Sequence, residues 1–273
     1  MLKGIDISNH QAGFEIPSDI DFCICKATEG LDFVDSYCDG FIQTCIKNNV
    51  LFGYYHFAHD VPKAEARYFW NNTLGYNGHG IPIIDYEYGS ANAKNYLEVF
   101  CSEYHKLSGV WPMVYISALS SIGNVKDLVG SWVPKKCGLW IAGYPRIYKD
   151  WINQFCPYDI TPWEFYAIWQ FTDSLNCNGF EIDADLAYMT REEWMKYATC
   201  EKNPGSKDKG ESVSNAPAEK QNAVSSAKTC EQIADEVLAG KWGVGRNREQ
   251  AIKAAFPVGT YEHVQAIINE KMI

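Results

Sequence analysis

Apolar runs that end in an acidic residue recur along the first two thirds of the chain. The segments Gly4–Ser8, Ile83–Glu87 and Phe180–Asp185 have this form, and the segment Cys25–Glu29 is a less apolar example. Each run has the length of a buried strand, and segments with apolar residues at helical spacing follow the earlier runs. Strands that alternate with helices form parallel sheets or barrels, and the strands of a barrel end at one common mouth. The pattern therefore predicts a barrel that crowds several carboxylates at its mouth.

The same pattern places the individual elements. Helices are predicted where Asp35 or Ser36 can cap an amphipathic segment that runs to about Asn48, where Pro62 opens another, and over residues 91–107. After Leu139 strand-like runs continue, but convincing helices no longer separate them. We therefore expect an α/β fold, an irregular TIM-like barrel whose last third departs from the βα repeat. The predicted strands are 3–7, 22–26, 51–57, 81–87, 111–117, 138–142, 165–171 and 180–186.

A polar segment divides the chain into two folding units. Residues 201–228 are rich in Lys, Glu, Ser, Asn and Ala and contain no aromatic residue, which is typical of a flexible linker. The first unit is then residues 1–200, and the second is residues 229–273. Capping boxes at Thr229 and Asn247 predict two short helices in the second unit, and Thr260 opens a third. A unit of this size is a minimal three-helix bundle, suited to binding rather than to enclosing a catalytic cavity.

Composition and charge exclude several classes of protein. The composition, 47% hydrophobic and 21% charged, is that of a globular protein, and no apolar run approaches the roughly 20 residues of a membrane span. The net charge of −10 lies in residues 1–200, because residues 201–273 hold ten basic and ten acidic residues. Such an acidic first unit argues against a nucleic-acid partner. The start Met1–Asp6 reaches an acid too early for a secretory signal, so we expect a cytoplasmic protein with reduced cysteines.

Asp85 and Glu87 suggest the chemistry of the mouth. Two residues that lie two positions apart on a strand point to the same face, and burial of two close carboxylates raises the pKa of one of them. One acid that keeps its proton and one that is ionised are what glycoside hydrolysis requires. The alternative is that Asp6, Asp85 and Asp183 are isolated acids that cap loops or pair with Lys26.

A metal site is the competing interpretation for an enzyme. His10, His56 and His59, with Asp85 or Asp183, offer nitrogen and oxygen ligands. The pair His56 and His59 lacks the spacing of ligands on one face of a helix, so we expect neither a metal ion nor another cofactor. Aromatic residues near the strand ends offer flat faces for sugars, although core packing will use most of them.

Eight motifs in sequence order resemble glycoside hydrolase family 25, over about residues 1–195. Any one motif would be weak, but their common order is specific. The motifs are Gly4–Ser8, Lys26–Gly30, Gly53–Ala58, Asp85–Glu87, Val114–Tyr115, Leu139–Ala142, Trp169–Phe171 and Ile182–Asp183.

This resemblance implies an N-acetylmuramidase that cuts the β-1,4 bond between N-acetylmuramic acid and N-acetylglucosamine in peptidoglycan. It also implies a barrel of five βα units and three further strands, with Glu87 as the general acid and Asp6, Asp85 and Asp183 as the acids around it. In the last motif Asp185 occupies a position where the family commonly has an Asn, so the separate roles of Asp183 and Asp185 stay open. The expected substrate-binding residues are Tyr54, Tyr55, Tyr115, Trp140, Trp169, Gln170 and Asp185.

The second unit resembles a choline-independent cell-wall-binding repeat of phage lysozymes. The segment Gly240–Gly245 is its most specific part, and the resemblance places Asp235, Trp242 and Arg248 near a muropeptide-binding surface. Alternatively, Trp242 is simply the core of a small bundle.

Together the two units imply a phage endolysin that stays in the host cytoplasm until a holin opens the membrane. Its partner is then peptidoglycan. Two other classes stay open at this point: a wall-binding protein without activity, and a metal-dependent amidase or deacetylase that acts on the same polymer. The sequence does not decide whether the protein self-associates.

Overall fold

The computed structural model describes residues 1–87, 92–121, 123–199, 229–238 and 251–256, together with Val264 and Ile267. The linker predicted at 201–228 and the cap predicted at Asn247 lie outside this part of the chain. Within it, no helix is long and apolar enough to cross a membrane.

Eight strands close into a barrel, as the sequence predicts. Six neighbouring pairs, from β1–β2 round to β7–β8, run parallel, while β9 runs antiparallel to both β8 and β1 and so closes the ring. The short strand β3 extends β2 as a hairpin at the rim. The strands are β1 (Leu2–Ile7), β2 (Phe22–Glu29), β3 (Phe33–Val34), β4 (Leu51–Phe57), β5 (Ile81–Asp85), β6 (Met113–Ser117), β7 (Leu139–Ala142), β8 (Ile168–Cys177) and β9 (Phe180–Ala187).

Helices cover one side of the barrel. Crossovers after β3, β4 and β5 contain α-helices, whereas those after β1 and β6 contain only short 3₁₀ turns, and the connection from β7 to β8 is irregular. The α-helical covering is therefore thinner than five regular βα units would give. The helices are α1 (Cys38–Lys47), α2 (Pro62–Thr73), α3 (Ala93–Ser108), α4 (Arg191–Ala198) and α5 (Cys230–Leu238).

The predicted caps are partly confirmed. Asp35 does not cap α1 directly; its carboxylate accepts the backbone N–H groups of Tyr37 and Asn9 and holds the loop before the helix. Pro62 opens α2, and α3 starts after Asn92, whose side chain accepts a backbone N–H. In the second unit Thr229 and Gln232 form the predicted capping box at α5.

The barrel interior is a packed core at the end opposite the mouth. Inward residues alternate with outward ones along each strand, and the inward set includes Phe22, Ile81 and Met113. Gly4 has to be glycine at its inward position, because a Cβ there would lie 2.3 Å from the Phe22 ring. Trp194 of α4 closes this end, with its ring centroid 4.7 Å from that of Phe22. The interior is thus sealed at one end, and polar groups collect at the other.

Candidate active site

The strand register brings Asp6, Asp85 and Asp183 to the mouth, which is the end of the barrel where the parallel strands finish. Asp6 and Asp85 lie at the C-terminal ends of β1 and β5 and point inward. Asp183 pairs with Asp6 across the antiparallel β1–β9 ladder, and Asp185 pairs with Gly4, one layer deeper. The sequence therefore predicts correctly that separate strands deliver carboxyl groups to one place.

Asp85 and Glu87 differ in their exposure. Asp85 is 6% exposed, and burial, reinforced by Glu87 and Asp6, raises its pKa well above the usual range, with Lys26 acting in the opposite direction. Glu87 follows β5 at the rim and reaches solvent, yet partial desolvation there raises its pKa too, again against Lys26. Two neighbouring carboxyls that both resist ionisation form a site able to hold a proton near neutral pH.

Asp6 is held by an amide whose orientation is fixed. Gln170 Nε2 donates to Asp6 Oδ2 at 2.7 Å. The hydroxyls of Tyr115 and Tyr144 both donate to Gln170 Oε1, at 2.7 and 2.6 Å. Because the carbonyl oxygen of Gln170 is occupied by these two donors, its NH₂ group has to face Asp6. Burial, together with the nearby Asp185, still raises the pKa of Asp6.

Asp183 is the most perturbed acid that is still partly accessible. Burial, with repulsion from Asp6, Asp173 and Glu87, raises its pKa to about 9. Asp183 is therefore neutral at pH 7 in the unliganded protein. A neutral carboxylic acid can donate a hydrogen bond but is a poor nucleophile.

A single lysine faces Asp85 and Glu87 from β2. Lys26 continues the inward alternation of Phe22 and Ile24. Its ammonium lies near two aromatic rings, with Nζ 4.7 Å from the Phe57 centroid and 5.6 Å from that of Phe33. Its ammonium lies 2.6 Å from Glu29 Oε2. The sequence suggests Lys26 only as an ordinary ion-pair partner, although its place in the strand alternation predicts an inward side chain.

Two of the expected substrate-binding residues, Tyr54 and Trp169, lie on the outer face of the barrel and not at the mouth. Tyr54 is fully buried on the outer face of β4, with its ring centroid 5.6 Å from that of Phe69 in α2. Trp169 is also fully buried on the outer face, and its indole donates to the backbone carbonyl of Gly143 at 2.9 Å. Both assignments are wrong, because these rings pack in the layer outside the barrel and cannot reach a ligand at the mouth.

The other expected residues face the interior, at different depths. Tyr55 points toward the acids, and its side chain is partly accessible, as a sugar-binding ring requires. Tyr115, Trp140 and Gln170 are buried beneath the acids. Asp185 is buried in the same layer, and the role of these four residues in substrate binding stays a prediction. These four side chains support the acids from below.

Tyr144 is the site residue that the sequence leaves out of the expected set. It lies just after β7, about one third exposed, and reaches Gln170 across the mouth. Two signals could have indicated it: it is an aromatic residue near a strand end, and it lies two residues beyond the motif Leu139–Ala142.

His56 and His59 have other side-chain partners. Both ring nitrogens of the buried His56 are occupied, by Thr28 Oγ1 at 2.8 Å and by Glu65 Oε2 at 2.9 Å. His59 lies 3.1 Å from Glu29. No group of three or more His, Cys, Asp or Glu side chains within the described ranges is arranged to hold a metal ion.

The second unit is described only in part. Asp235 lies exposed on α5, whose buried face carries Ile233, Ala234 and Val237. Trp242 and Arg248, the other two expected wall-binding residues, lie outside the described residues.

A closed βα barrel whose mouth gathers carboxyl groups with raised pKa values has the architecture of a glycoside hydrolase. The chain belongs to glycosyl hydrolases family 25, whose sequence profile matches residues 5–180. Residues 231–272 match the CW_7 repeat. Both resemblances inferred from the motifs, and the enzyme class that follows from the first, are thus confirmed.

A curated relative is the autolytic lysozyme of Clostridium acetobutylicum, which is 26% identical over 203 residues. The match covers 68% of this chain and 55% of the relative, so this chain spans about half of that protein's length.

Solved structures share the barrel. A muramidase from Acremonium alcalophilum has a TM-score of 0.58 at 23% identity, and the match covers 72% of this chain and 99% of that one. The bacterial lysozyme from Streptomyces coelicolor has a TM-score of 0.59 at 18% identity, with 72% and 96% covered. The catalytic domain of an endolysin from a Listeria monocytogenes bacteriophage has a TM-score of 0.53 at 18% identity, with 72% and 97% covered. These similarities support the predicted fold class.

Proposed function

We propose that this protein is an N-acetylmuramidase that hydrolyses the β-1,4 bond between N-acetylmuramic acid and N-acetylglucosamine in peptidoglycan. The observation that carries the proposal is the mouth itself, where Asp85 and Glu87 stand together with raised pKa values opposite Asp6 and Asp183. Family membership and the CW_7 repeat support the same substrate, because a wall polymer would occupy both units.

Glu87 is the proposed general acid. Its side chain reaches solvent at the rim, where the oxygen of a bound glycosidic bond can approach it, and desolvation keeps its proton in place closer to neutral pH. Proton transfer to the leaving oxygen from a positioned carboxylic acid typically accelerates such a reaction by about 10² to 10⁴.

The proposed reaction proceeds with retention, through the 2-acetamido group of the substrate. Asp85 and Glu87 lie two residues apart and so share one side of the site, which places neither of them to attack from the face opposite the other. Asp183, across the mouth, is neutral at pH 7 by its pKa of about 9, which disfavours it as the nucleophile. The carbonyl oxygen of the acetamido group, oriented by Asp85, forms a bond to the anomeric carbon while the glycosidic bond breaks and Glu87 gives its proton to the leaving oxygen. Water, deprotonated by Glu87, then attacks the anomeric carbon and breaks the bond to the acetamido oxygen, so two inversions give retention. Retention without an enzyme nucleophile is a recognised exception among glycosidases.

The CW_7 repeat is the proposed wall anchor. A second site on the same chain raises the effective concentration of the barrel at an insoluble polymer. The combination of a muramidase barrel with this repeat supports the role of a phage endolysin, released to the wall through a holin. The contribution of Trp242 and Arg248 to wall binding stays a prediction.

Mass spectrometry of digested peptidoglycan tests the activity. Fragments with new reducing ends at N-acetylmuramic acid are expected, and Glu87→Gln protein gives the background. New reducing ends at N-acetylglucosamine, or free stem peptides, would identify a different bond. NMR of the first product anomer should give the β signal, and an α signal would refute retention. A covalent glycosyl adduct on Asp6 or Asp183, trapped with a slow substrate, would refute the role of the acetamido group.

A further inference from the structure

Two tryptophans and a histidine, Trp111, Trp132 and His105, form a half-exposed ring cluster at the end of the barrel opposite the mouth. Trp111 precedes β6, and Trp132 lies in the connection from β6 to β7. The ring centroids of the two tryptophans are 5.2 Å apart, and their planes meet at 65°. His105, in the last turn of α3, lies against Trp111 with a centroid distance of 3.8 Å. The two indoles therefore form a corner at the surface, and the imidazole packs beside it.

The two indoles are fixed in place, yet their polar groups stay available. Ser131 Oγ donates to Glu98 Oε1 at 2.8 Å and accepts the Val133 N–H at 3.2 Å, which holds the backbone on both sides of Trp132. Within the described part of the chain neither indole N–H of the ring cluster has a hydrogen-bond partner, and both reach solvent. Rigid rings of this kind suit stacking on a sugar face, because little side-chain entropy is lost and the N–H can bind a sugar oxygen.

Positive charge borders the ring cluster. Burial and the nearby Lys136 lower the pKa of His105, so the imidazole is neutral at pH 7 and the charge here belongs to the lysine. Lys106 and Lys135 are exposed beside it in the sequence, and none of the three ammonium groups forms an ion pair with a described residue. The chain as a whole carries a net charge of −10, so this basic border is a local exception that favours an anionic partner.

We propose that the ring cluster and Lys136 form a second glycan site of the barrel, which binds wall strands that carry N-acetylated sugars and free carboxylates. The indole corner takes the apolar face of an amino sugar, and Lys136 pairs with a carboxylate of the lactyl group or the stem peptide. The choice of peptidoglycan as partner rests on the proposed function, whereas the presence of a sugar site at this end does not.

This second site is separate from the mouth. β6 runs from the ring cluster toward the acids, and its five residues alone span about 16 Å. A disaccharide is too short to touch both places, but an insoluble wall offers many strands and can occupy both. Attachment at the far end raises the effective concentration of the mouth at the wall, in addition to any contribution of the CW_7 repeat.

NMR of the indole N–H groups tests the site directly, in the full-length chain with Glu87→Gln so that the probe is not consumed. The probe is a soluble, uncross-linked peptidoglycan fragment with intact stem peptides. Trp111→Phe and Trp132→Phe each identify one resonance, and both resonances should shift on titration. If neither shifts, the proposal is overturned, even where the fragment binds elsewhere on the chain. Because this readout needs no hydrolysis, it decides the site even if the protein is not a muramidase.

A neutral oligomer of N-acetylglucosamine tests the role of charge. It should shift the same two resonances at a higher concentration than the charged fragment, because it has no carboxylate for Lys136. Equal affinity for the two probes would overturn the assignment of Lys136 as a carboxylate partner.

Sedimentation with intact walls tests the contribution to attachment, again in the Glu87→Gln chain. Trp132→Ala should weaken binding about fivefold or more, and Lys136→Gln by at most about fivefold. Phe165→Ala removes an exposed ring elsewhere and Lys196→Gln an exposed charge, so these controls should bind as before. Unchanged binding in both test variants, or equal losses in the controls, would overturn the proposal. If Trp132→Ala fails to fold, Lys136→Gln and the indole shifts decide.

Discussion

Lys26 Nζ lies 2.6 Å from Glu29 Oε2, and this ion pair stands beside the two carboxyls at the end of β5. Glu29 and the rings of Phe33 and Phe57 hold the ammonium at the mouth. The positive charge at this point lowers the pKa values of Asp85 and Glu87, against the burial that raises them. Burial therefore raises the upper end of the pH range in which Glu87 keeps its proton, and Lys26 lowers it.

Replacement of Lys26 by Met should move the alkaline limb of the pH–rate profile upward. Met keeps an unbranched side chain of similar length but removes the charge that lowers the pKa of Glu87, so the acid stays protonated to higher pH. The measurement is the initial rate of wall hydrolysis between pH 5 and pH 10. Lys47→Met, an exposed position at the end of α1, is the control and should leave the limb in place. If the alkaline limb of the pH–rate profile is unchanged in Lys26→Met protein, or moves to lower pH, Lys26 does not have this role.

Glu87→Gln should reduce the rate of hydrolysis by several orders of magnitude, with the fold and wall binding intact. The amide keeps the shape of the side chain and cannot give up a proton to the leaving oxygen. Activity is measured by turbidity loss of a wall suspension, and binding by sedimentation with walls. Glu164→Gln changes an exposed glutamate outside the site and serves as the control. Activity within tenfold of the wild type would exclude Glu87 as the acid.

Asp183→Asn should stabilise the folded protein, and by more at higher pH. The folded-state pKa of about 9 lies above the ordinary value for Asp, so the contribution of Asp183 to stability is complete below about pH 4 and falls as the pH rises toward 9. For one retained proton the free energy of unfolding falls by about 1.4 kcal/mol per pH unit in that window. The amide does not titrate, so the variant lacks this loss.

Urea unfolding at pH 5 and pH 8 measures the effect on both proteins. The stability gain of Asp183→Asn over the wild type should be larger at pH 8. Asp19→Asn changes an exposed aspartate, so its difference in free energy of unfolding from the wild type should be the same at both pH values. A gain from Asp183→Asn that is the same at both pH values would show that Asp183 is ionised in the folded state.

A fragment that ends near Cys200 should fold and hydrolyse soluble wall fragments, yet sediment less with intact walls. The barrel, with its closing strand β9 and the α4 helix that seals its far end, is complete before this point. Residues 229–273 fused to an unrelated carrier protein are the complementary reagent. If the fusion does not sediment with walls, the CW_7 repeat is not the anchor.

Iodoacetamide labelling should find every cysteine of the native protein reduced. The nine described cysteines are free, and six of them are buried. Only Cys156, Cys177 and Cys230 are partly exposed, so they should react in the native protein, and the buried six should react only after unfolding. Labelling of the unfolded protein without a reductant should reach all ten cysteines of the chain. A protected pair would reveal a disulfide.

The sequence predicts the barrel and its acids because both depend on local pattern. Asp6 and Asp85 follow apolar runs, and that alone places them at the mouth. The errors arise where the pattern is ambiguous: Tyr54 and Tyr55 are neighbours in a strand that is apolar on both faces, so alternation cannot say which ring points inward. The contact between Gln170 and Asp6 spans 164 residues and depends on barrel closure, which no local signal encodes.

The place of β9 between β1 and β8 has a consequence for synthesis. Asp6 leaves the ribosome well before Asp183 and Asp185, which lie on the strand that closes the ring. A nascent chain that stops short of Ala187 exposes two unpaired barrel edges and has no assembled acid cluster. The acid cluster is therefore complete only after β9 has been synthesised and has paired with β1, so a translation product that is interrupted before this strand lacks the assembled mouth.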